Sequence, residues 1–384
     1  MFESSKIVLS KKALEHNLKF LRKHLKPKVR ICSVVKGNAY GHGLETYVQM
    51  ALRCGIDYFG VHSADEAFIL RENLPDEKFD LFIMGTVEDD AIPWAIESDV
   101  EMAVFDFDRL DAILNWAEKL GKPAKVHLEI ETGMRRTGFE HTQIDDLIQR
   151  LGQNEKHLIF QGLFTHFAGA ESLANHFRVK NQIENFRLTK AAFEAANLTP
   201  KYWHSACSAA TLNYPESQEN MVRIGIIQYG FWPNKETHIR FCGDSETNPD
   251  LLKRIIHWET KILSTKDVKK GCFVGYGTSY LAHNNMKIAI VPVGYSHGYS
   301  RNLSNIGSVL IHGKSAPVIG TVNMNSLTID VSKIPNVDKG DTVILIGRQN
   351  GKAITVSSFS EQSHQLNYEM LTRLPRAIPR EIVD

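Results

Sequence analysis

One lysine stands where an apolar run of the sequence ends. Lys36 closes the run 30–36 and is followed by a glycine-containing stretch. Two arginines, Arg135 and Arg136, follow another apolar run. An amine that is buried beside arginines gives up its proton readily, because burial and like charge both lower its pKa. A neutral amine of this kind can form a Schiff base with a carbonyl compound. Lys36 is therefore a candidate nucleophile, and an ion-paired structural lysine is the alternative.

A second group of residues is suited to binding a phosphate. Ser208 follows the apolar run 201–205, and Gly225 and Ile226 end the run 221–226. A hydroxyl group and two backbone N–H groups are donors that a phosphate oxygen accepts. A phosphate site together with a Schiff-base lysine suggests pyridoxal phosphate, whose aldehyde reacts with an amine. Taken alone, Ser208 is equally well explained as a helix N-cap.

These residues need a scaffold that brings the ends of several strands together. Eight short apolar runs alternate with amphipathic stretches in the first 230 or so residues. They are 30–36, 57–62, 80–85, 100–105, 125–130, 158–166, 201–205 and 221–226. Strands that alternate with helices indicate βαβ units and a parallel sheet. Eight such units fit a (β/α)8 barrel of the TIM type better than an open sheet, and barrels of this type carry their chemistry at the carboxyl ends of the strands.

The pattern changes after about residue 235. Later runs are rich in β-branched residues and are punctuated by glycine. They are 259–268, 287–295, 307–313, 316–322, 325–332 and 341–347. This pattern predicts a mainly antiparallel β domain. We therefore expect a barrel over residues 1–235, whose first residues could pair with the second domain, and a C-terminal β domain over 236–384.

Composition excludes several classes of protein. The formal net charge is +1, so the chain lacks the basic excess of a typical nucleic-acid-binding protein. Hydrophobic residues make up 43% and charged residues 23%, which is ordinary for a globular protein, and no apolar stretch approaches the roughly 20 residues that span a bilayer.

The N-terminus lacks the features of a secretory signal. The five cysteines are scattered and form no C-x-x-C, which argues against a zinc site or a disulfide framework and favours a cytoplasmic protein with reduced thiols.

Several segments of the chain, in order, resemble the alanine racemase family of fold-type III pyridoxal-phosphate enzymes. They are VVKGNAYGHG (34–43), THFAG (165–169), ACSAATL (206–212), VRIGIIQYG (222–230), VGYGTSY (274–280) and PVGYSHGY (292–299). The first is close to the cofactor-lysine signature of the family. The resemblance extends from the first helix to the C-terminal RLPRAIPR. It implies a racemase that interconverts L- and D-alanine.

The resemblance also implies roles for particular residues. Lys36 would bond pyridoxal phosphate and act as one base, and Tyr276 would be the second base, supplied by the partner subunit of an obligate homodimer with shared active sites. Further cofactor contacts are implied for Tyr40, His166, Ser208, Arg223, Gly225 and Ile226. Of these, Arg223 would face the pyridine nitrogen, with His166 beside it. Substrate contacts are implied for Arg136, Tyr295 and Met324.

The chain departs from the family pattern at several positions, among them His297, which stands in GYSHG where the family has an acidic residue. Glu129 stands where many members carry a carbamylated lysine, and Asn323, Asn325 and Arg376 stand where the pattern has a thiol, a carboxylate and a tyrosine. These changes leave open a broader racemase of small amino acids such as serine. An amino acid decarboxylase is the next alternative, but that class pairs the pyridine nitrogen with a carboxylate. A non-catalytic cofactor carrier is the third, but such carriers lack the β domain.

Overall fold

The computed structural model describes residues 4–243, 249–363 and 367–384. The strands are β1 (Ser5–Ser10), β2 (Arg30–Val34), β3 (Tyr58–Val61), β4 (Asp80–Ile83), β5 (Glu101–Val104), β6 (Ala124–Glu129), β7 (Leu158–Phe164), β8 (Tyr202–His204), β9 (Met221–Ile224), β10 (Ile256–Lys261), β11 (Ser264–Val268), β12 (Met286–Val291), β13 (Ser308–Ile311), β14 (Lys314–Ile319), β15 (Leu327–Asp330), β16 (Thr342–Gln349), β17 (Lys352–Ile354) and β18 (Arg380–Val383).

The helices are α1 (Lys11–His24), α2 (Lys36–Tyr40), α3 (Leu44–Arg53), α4 (Ala64–Asn73), α5 (Ile92–Glu97), α6 (Phe107–Leu120), α7 (Ile144–Gln153), α8 (His176–Ala195), α9 (Ser208–Asn213), α10 (Lys235–Cys242), α11 (Val356–Ser363) and α12 (Asn367–Thr372). Short 3₁₀ turns lie at His141–Gln143, Leu173–Asn175, Pro215–Gln218, Tyr295–His297 and Arg301–Leu303. Within the described ranges, no helix is both long and apolar enough to cross a membrane.

The chain divides into two compact units. The barrel unit consists of Lys12–Gly37 and Val48–Lys253. The β unit consists of Met1–Lys11, Asn38–Tyr47 and Arg254–Asp384. The described residues 236–243 and 249–253, which the sequence pattern places in the second domain, are part of the barrel unit. Asn17 of α1 explains part of this grouping, because its side chain hydrogen-bonds both the backbone N–H and the carbonyl oxygen of Lys253.

The barrel unit contains eight parallel strands in the order β8-β7-β6-β5-β4-β3-β2-β9. Successive strands from β2 to β8 pair in parallel, and β9 pairs in parallel with β2, for example Met221 with Arg30. The backbone N–H of Arg223 donates to the carbonyl oxygen of Ala206 at 2.9 Å, which links β9 to the segment after β8 and nearly closes the ring. This confirms the predicted barrel.

The barrel strands are buried on both faces. All four residues of β3, β5 and β9 are buried, as expected when helices cover the outside and side chains fill the inside. Tyr58 and Phe82 belong to one packed cluster in this core. The covering helices end in ordinary ways: α6 begins at Asp106, whose side chain accepts a hydrogen bond from the N–H of Arg109, and stops at left-handed Gly121.

The β unit contains one ten-stranded sheet in the order β11-β12-β15-β14-β13-β16-β10-β1-β18, with β17 paired to β16. Its pairs are antiparallel except for β1 with β18. The predicted run 259–268 is two strands, because the chain turns at residues 262–263: β10 pairs with β16, whereas β11 pairs with β12. The mainly antiparallel character of this unit agrees with the prediction.

Candidate active site

Lys36 lies two residues after the last residue of β2, at the carboxyl ends of the barrel strands. The preceding residue, Val35, donates its N–H to the carbonyl oxygen of Gly60 at 2.8 Å, which fixes the strand up to the lysine. Burial and the positive charges of Arg136 and Arg223 lower the pKa of the Lys36 amine, while Glu66 opposes this shift. Lys36 is nevertheless exposed to solvent. The amine thus combines a lowered pKa with access from outside, as a nucleophile requires.

The backbone turns left-handed directly after Lys36. The φ angles are 63° at Gly37, 57° at Asn38, 51° at Ala39 and 52° at Tyr40. Left-handed backbone costs a non-glycine residue about 1–2 kcal/mol, so such a run persists only when other contacts hold it. The N–H of Leu44 donates to the Asn38 side-chain oxygen at 2.9 Å. The neighbouring residues Ala39 and Asn38 also accept backbone bonds from His42 and Gly43, which closes the turn.

Glu66 fixes the barrel side of this turn. One of its carboxylate oxygens accepts the N–H of Gly37 at 2.7 Å, and the other accepts the N–H of His62 at 3.0 Å. The residue is 5% exposed, so these charge-assisted bonds form away from water. Glu66 was missed from the sequence because it lies on a helix with acidic neighbours and looks like any first-turn carboxylate.

Arg223 begins a chain of hydrogen bonds through the barrel interior. Its Nη1 lies 2.9 Å from Nδ1 of His204, and Nε2 of His204 lies 2.8 Å from Nδ1 of His127. Nε2 of His127 lies 2.6 Å from a carboxylate oxygen of Glu101. The four side chains are buried, with at most 5% exposed. A second carboxylate oxygen of Glu101 accepts a hydrogen bond from Gln161 at 2.7 Å.

The hydrogen bonds from Arg223 to Glu101 all run in one donor-to-acceptor direction. An arginine can only donate and a carboxylate can only accept, so each imidazole must accept on Nδ1 and donate from Nε2. Both histidines are therefore neutral and share one tautomer. Burial and the charge of Arg223 hold the pKa of His204 well below its usual range, in agreement with this state. Burial alone would raise the pKa of Glu101, but the hydrogen bonds from His127 and Tyr58 lower it overall.

Three members of this chain were missed from the sequence. Glu101, His127 and His204 were each included within an apolar run and given no role. The available signal was a polar residue inside a strand whose other residues are apolar, at an inward position of a barrel. Buried polar groups require partners, so three such residues on three strands should have been sought together.

His166 follows β7 and lies near the cationic groups Arg223, Arg136 and Lys36. Burial and the charges of Arg223, Arg136 and Lys36 lower its pKa to about 3. His166 is therefore neutral at physiological pH. Its backbone carbonyl oxygen accepts a hydrogen bond from Gln182 at 3.0 Å, which holds the loop after the strand.

Arg136 is paired with Glu129. Its Nη2 lies 3.6 Å from one Glu129 oxygen, and the hydroxyl of Thr137 donates to the other oxygen at 2.8 Å. Glu129 is 4% exposed, whereas about half of the Arg136 side chain is accessible. A buried carboxylate thus anchors an arginine whose guanidinium extends toward solvent.

The residues predicted to bind phosphate meet at α9. Ser208 is the first residue of this helix, and its hydroxyl oxygen accepts the N–H of Gly225 at 2.8 Å. Because the oxygen accepts here, the hydroxyl hydrogen can be donated to another group. Ile226 is 2% exposed and follows directly. These donors suit a phosphate, but the N–H of Gly225 is occupied by Ser208 and would have to be shared.

The donor set of the barrel unit fits pyridoxal phosphate. Lys36 supplies a primary amine of lowered pKa, Ser208 a hydroxyl donor, and Arg223 a permanent cation that cannot accept a hydrogen bond. In the β unit, Tyr40 is buried in the left-handed turn, with its ring centroid 5.9 Å from that of Tyr368.

The remaining predicted residues lie in the β unit. Tyr276, Tyr295 and Met324 line one pocket of about 550 Å³. The other lining residues are Arg301, Thr321, Val322, Asn323, Asn325 and Ser326. Tyr276 is 75% exposed, which is unusual for an aromatic side chain and leaves its hydroxyl accessible. None of the described residues around this pocket is acidic. Arg376 is exposed and does not line it.

Comparison with known proteins agrees with this geometry. The family model for the alanine racemase N-terminal domain matches residues 9–233, and that for the C-terminal domain matches residues 255–382. The alanine racemase of Leptospira interrogans (serovar copenhageni) is 33% identical over 383 residues, which are 99% of this chain and 96% of that protein.

Solved structures give the same result. The alanine racemase of Clostridium difficile 630 superposes with a TM-score of 0.90 at 28% identity, over 100% of this chain and 96% of that one. A histidine racemase from Leuconostoc mesenteroides superposes with a TM-score of 0.87, also at 28% identity, over 100% of this chain and 98% of that one. With both domain models matched along nearly its whole length, the chain belongs to the alanine racemase family.

Proposed function

We propose that the chain is a pyridoxal-phosphate-dependent isomerase that interconverts L- and D-alanine, with Lys36 and Tyr276 as its two bases. The observation that carries this proposal is the lysine at the end of β2, whose pKa is lowered by burial and by two arginines. Family membership supports the same reaction, since the relatives named above include alanine racemases.

The cofactor would be held by groups described above. Lys36 would bond it, Ser208 would donate to its phosphate, and Arg223 would donate to its ring nitrogen. When bound, pyridoxal phosphate withdraws electrons from the substrate and so acidifies the hydrogen on its α-carbon. Arg223 would donate to the ring nitrogen without protonating it, because a guanidinium does not release its protons at working pH. This would limit electron withdrawal by the ring and disfavour side reactions.

Racemisation requires proton transfer on opposite faces of the α-carbon. The Lys36 amine would serve one face and the Tyr276 hydroxyl the other. Arg136, anchored by Glu129, would bind the substrate carboxylate, because a guanidinium matches a carboxylate in charge and geometry. Neutral His166 would accept or donate a hydrogen bond without adding charge beside the arginines.

We propose a homodimer with shared active sites. The β unit exposes large apolar side chains at Phe273, Tyr276, Ile306 and Met324, between 53% and 75%. The barrel unit exposes Phe177 by 83%. Where exposed apolar side chains form one contiguous patch, the patch marks a surface that another protein covers. In such a dimer, Tyr276 would act in the site of the partner subunit.

Alanine is the proposed substrate, and a small polar amino acid such as serine is the second candidate. The pocket beside Tyr276 contains the amides of Asn323 and Asn325 and the guanidinium of Arg301. Amides can hydrogen-bond a substrate hydroxyl, whereas Arg301 would repel a cationic side chain. The histidine racemase among the structural relatives is a further reason to test a broad range of substrates. A decarboxylase is disfavoured, because Arg223 occupies the place where that class has a carboxylate.

We also propose a cytoplasmic location. All five cysteines are free thiols, as a reducing compartment allows.

The decisive experiment follows the configuration of the product. Purified protein loaded with pyridoxal phosphate is incubated with each L-amino acid in turn, and the mixture is separated by chiral chromatography. D-Alanine should form and should approach an equal mixture of both isomers. Tyr276→Phe should lose this activity, and Tyr280→Phe, which changes a neighbouring tyrosine, should keep it. Release of carbon dioxide without D-isomer would overturn the proposal.

A further inference from the structure

Three metal-binding side chains lie together in the segment that follows the last barrel strand. They are His238, Cys242 and Asp250. One nitrogen of the imidazole, the thiol sulfur and one carboxylate oxygen all lie within 4.8 Å of one another. The roles assigned above to the barrel unit involve none of them. We call these three residues the His–Cys–Asp cluster.

Helix α10 brings the first two residues together. His238 and Cys242 are four positions apart, so their side chains lie one turn apart on the same face. The helix begins at Asn234, whose side-chain oxygen accepts the N–H of Thr237 at 2.9 Å. Cys242 is 8% exposed. The cysteines alone predict no zinc site, because the sequence contains no C-x-x-C. That criterion ignores a histidine placed four residues before a cysteine on one helix face.

Asp250 is oriented by neighbours that do not belong to the cluster. One of its oxygens accepts the indole N–H of Trp232 at 2.9 Å and the backbone N–H of Leu252 at 3.0 Å. The ring centroid of Trp232 lies 5.8 Å from that of His238. Residues that bind metals are commonly held in this way by hydrogen bonds to groups behind them. Trp232 thus contacts two members of the cluster at once.

The donor set identifies the metal. Thiolate, imidazole and carboxylate together are typical ligands of Zn²⁺, which prefers four ligands in a tetrahedron. At ordinary zinc–ligand distances, the ligand atoms of such a site lie about 3.5 Å apart. The three ligand atoms lie within 4.8 Å of one another, so binding would require the side chains to rotate toward the ion. Three protein ligands leave the fourth position for a water molecule.

We propose that the His–Cys–Asp cluster binds one Zn²⁺ ion and so joins α10 to the chain at Asp250. That region is already attached to α1, because Asn17 hydrogen-bonds Lys253 and His16 hydrogen-bonds the carbonyl oxygen of Leu251 at 2.9 Å. A metal ion would fasten α10 to the same place and stabilise the end of the barrel unit. Its binding requires a deprotonated thiol, so the affinity should rise with pH.

Cobalt is the probe for this site, because tetrahedral Co²⁺ bound to thiolate has visible absorption that Zn²⁺ lacks. The holoenzyme is first treated with a chelator and then titrated with Co²⁺, with the cofactor absorbance subtracted. We expect saturation at one equivalent, displacement of the signal by Zn²⁺, and an upward shift of the melting temperature. Titration without a tetrahedral thiolate spectrum would overturn the proposal.

Variants separate the cluster from other thiols. Cys242→Ser and His238→Gln should weaken binding at least tenfold, whereas Cys272→Ser, which changes an exposed thiol, should leave it unchanged. Asp250 is exposed, so Asp250→Asn should fold and should also weaken binding. Trp232→Phe removes the indole donor and part of the ring that packs against His238, and should reduce affinity by about 10–100-fold. Equal affinity in Cys242→Ser and the unaltered protein would refute the site.

Discussion

Glu101 accepts a hydrogen bond from Nε2 of His127 over 2.6 Å in the interior of the barrel. This is the last of three hydrogen bonds that start at Arg223. The buried arginine is thus connected to the carboxylate of Glu101 through two histidines. We expect Glu101→Gln to lower the free energy of unfolding by about 1.5–3 kcal/mol, the usual contribution of a hydrogen bond to a charged group. Urea denaturation measures this change.

Glu118→Gln is the matched control, because Glu118 is exposed on α6 and should change stability by less than about 0.5 kcal/mol. If both variants were equally stable, the hydrogen bonds from Arg223 to Glu101 would make no contribution to stability. Glu101→Gln should also shift the absorbance of the bound cofactor, since Arg223 would lose its distant anion. An unchanged spectrum would confine Glu101 to a structural role.

Acid should destabilise the protein below about pH 6.5. The pKa of His166 is lowered to about 3 in the folded state, from 6.5 in the unfolded chain. Between these values the unfolded chain binds a proton that the folded protein does not, so stability falls as the pH falls. Urea denaturation at pH 7, 6 and 5 measures the slope. His166→Asn should make the slope shallower, and an unchanged slope would contradict the assignment of His166 as a buried neutral group.

Lys36 should carry the cofactor. Lys36→Ala should lose both the covalent adduct that borohydride traps and the racemase activity. Tyr276→Phe should keep the adduct and slow α-proton exchange from L-alanine more than from D-alanine, because the resemblance assigns Tyr276 to the L-isomer. Exchange in deuterated buffer measures both rates. A trapped adduct on another lysine in Lys36→Ala would show that the assignment is wrong.

Mixed dimers test the sharing of active sites. Lys36→Ala and Tyr276→Phe subunits are each inactive alone, but a mixed dimer would contain one site with both bases. We expect mixing to restore part of the activity. Demonstrably mixed dimers that remain inactive would contradict a site built from two subunits.

Glu129 should make the enzyme independent of bicarbonate, because a glutamate already provides the anion beside Arg136. Glu129→Gln should raise KM for alanine about tenfold with a smaller change in kcat, since a neutral amide holds the arginine less firmly. Steady-state kinetics with and without added bicarbonate measure both effects. Unchanged KM in Glu129→Gln would show that Arg136 does not depend on this pair.

Alanine should remain the best substrate, with serine second and lysine and arginine poor. One added neutral hydrogen bond contributes about 0.5–1.5 kcal/mol, which changes kcat/KM by at most about tenfold. The pocket beside Tyr276 offers such bonds through Asn323 and Asn325, and a repelling charge through Arg301. Values of kcat/KM for the four amino acids decide the order. A preference for lysine would show that the charge of this pocket has been misjudged.

The barrel was predictable because its strands are buried on both faces and so form compact apolar runs between helices. The division of the run 259–268 into β10 and β11 was not predictable from the sequence. The turn at residues 262–263 consists of two apolar residues and contains no glycine. The lysine was found from its place after β2. The residues Glu101, His127 and His204 were not predicted as partners, because they lie far apart in the sequence and only the folded sheet brings β5, β6 and β8 together.

The left-handed turn shows a different limit of sequence reasoning. Gly37 and Gly41 adopt positive φ readily, but Asn38, Ala39 and Tyr40 have no feature that requires it. Their conformation is imposed by contacts within the β unit. A methyl group on Gly41 would lie only 1.8 Å from the carbonyl oxygen of Leu371, so the chain passes there without room for a side chain.

Those contacts also determine the order in which the protein can be completed during synthesis. The carbonyl oxygen of Gly41 accepts a hydrogen bond from Arg380 at 2.9 Å, and Arg380 lies 339 residues later. A ribosome that has finished every barrel strand has therefore still not made the side chain that fastens the turn after Lys36. Lys36 is among the first residues translated, whereas Arg380, whose side chain bonds the Gly41 carbonyl oxygen within the β unit, is among the last. A nascent chain cut short before Arg380 should contain Lys36 and lack the hydrogen bond that holds Gly41.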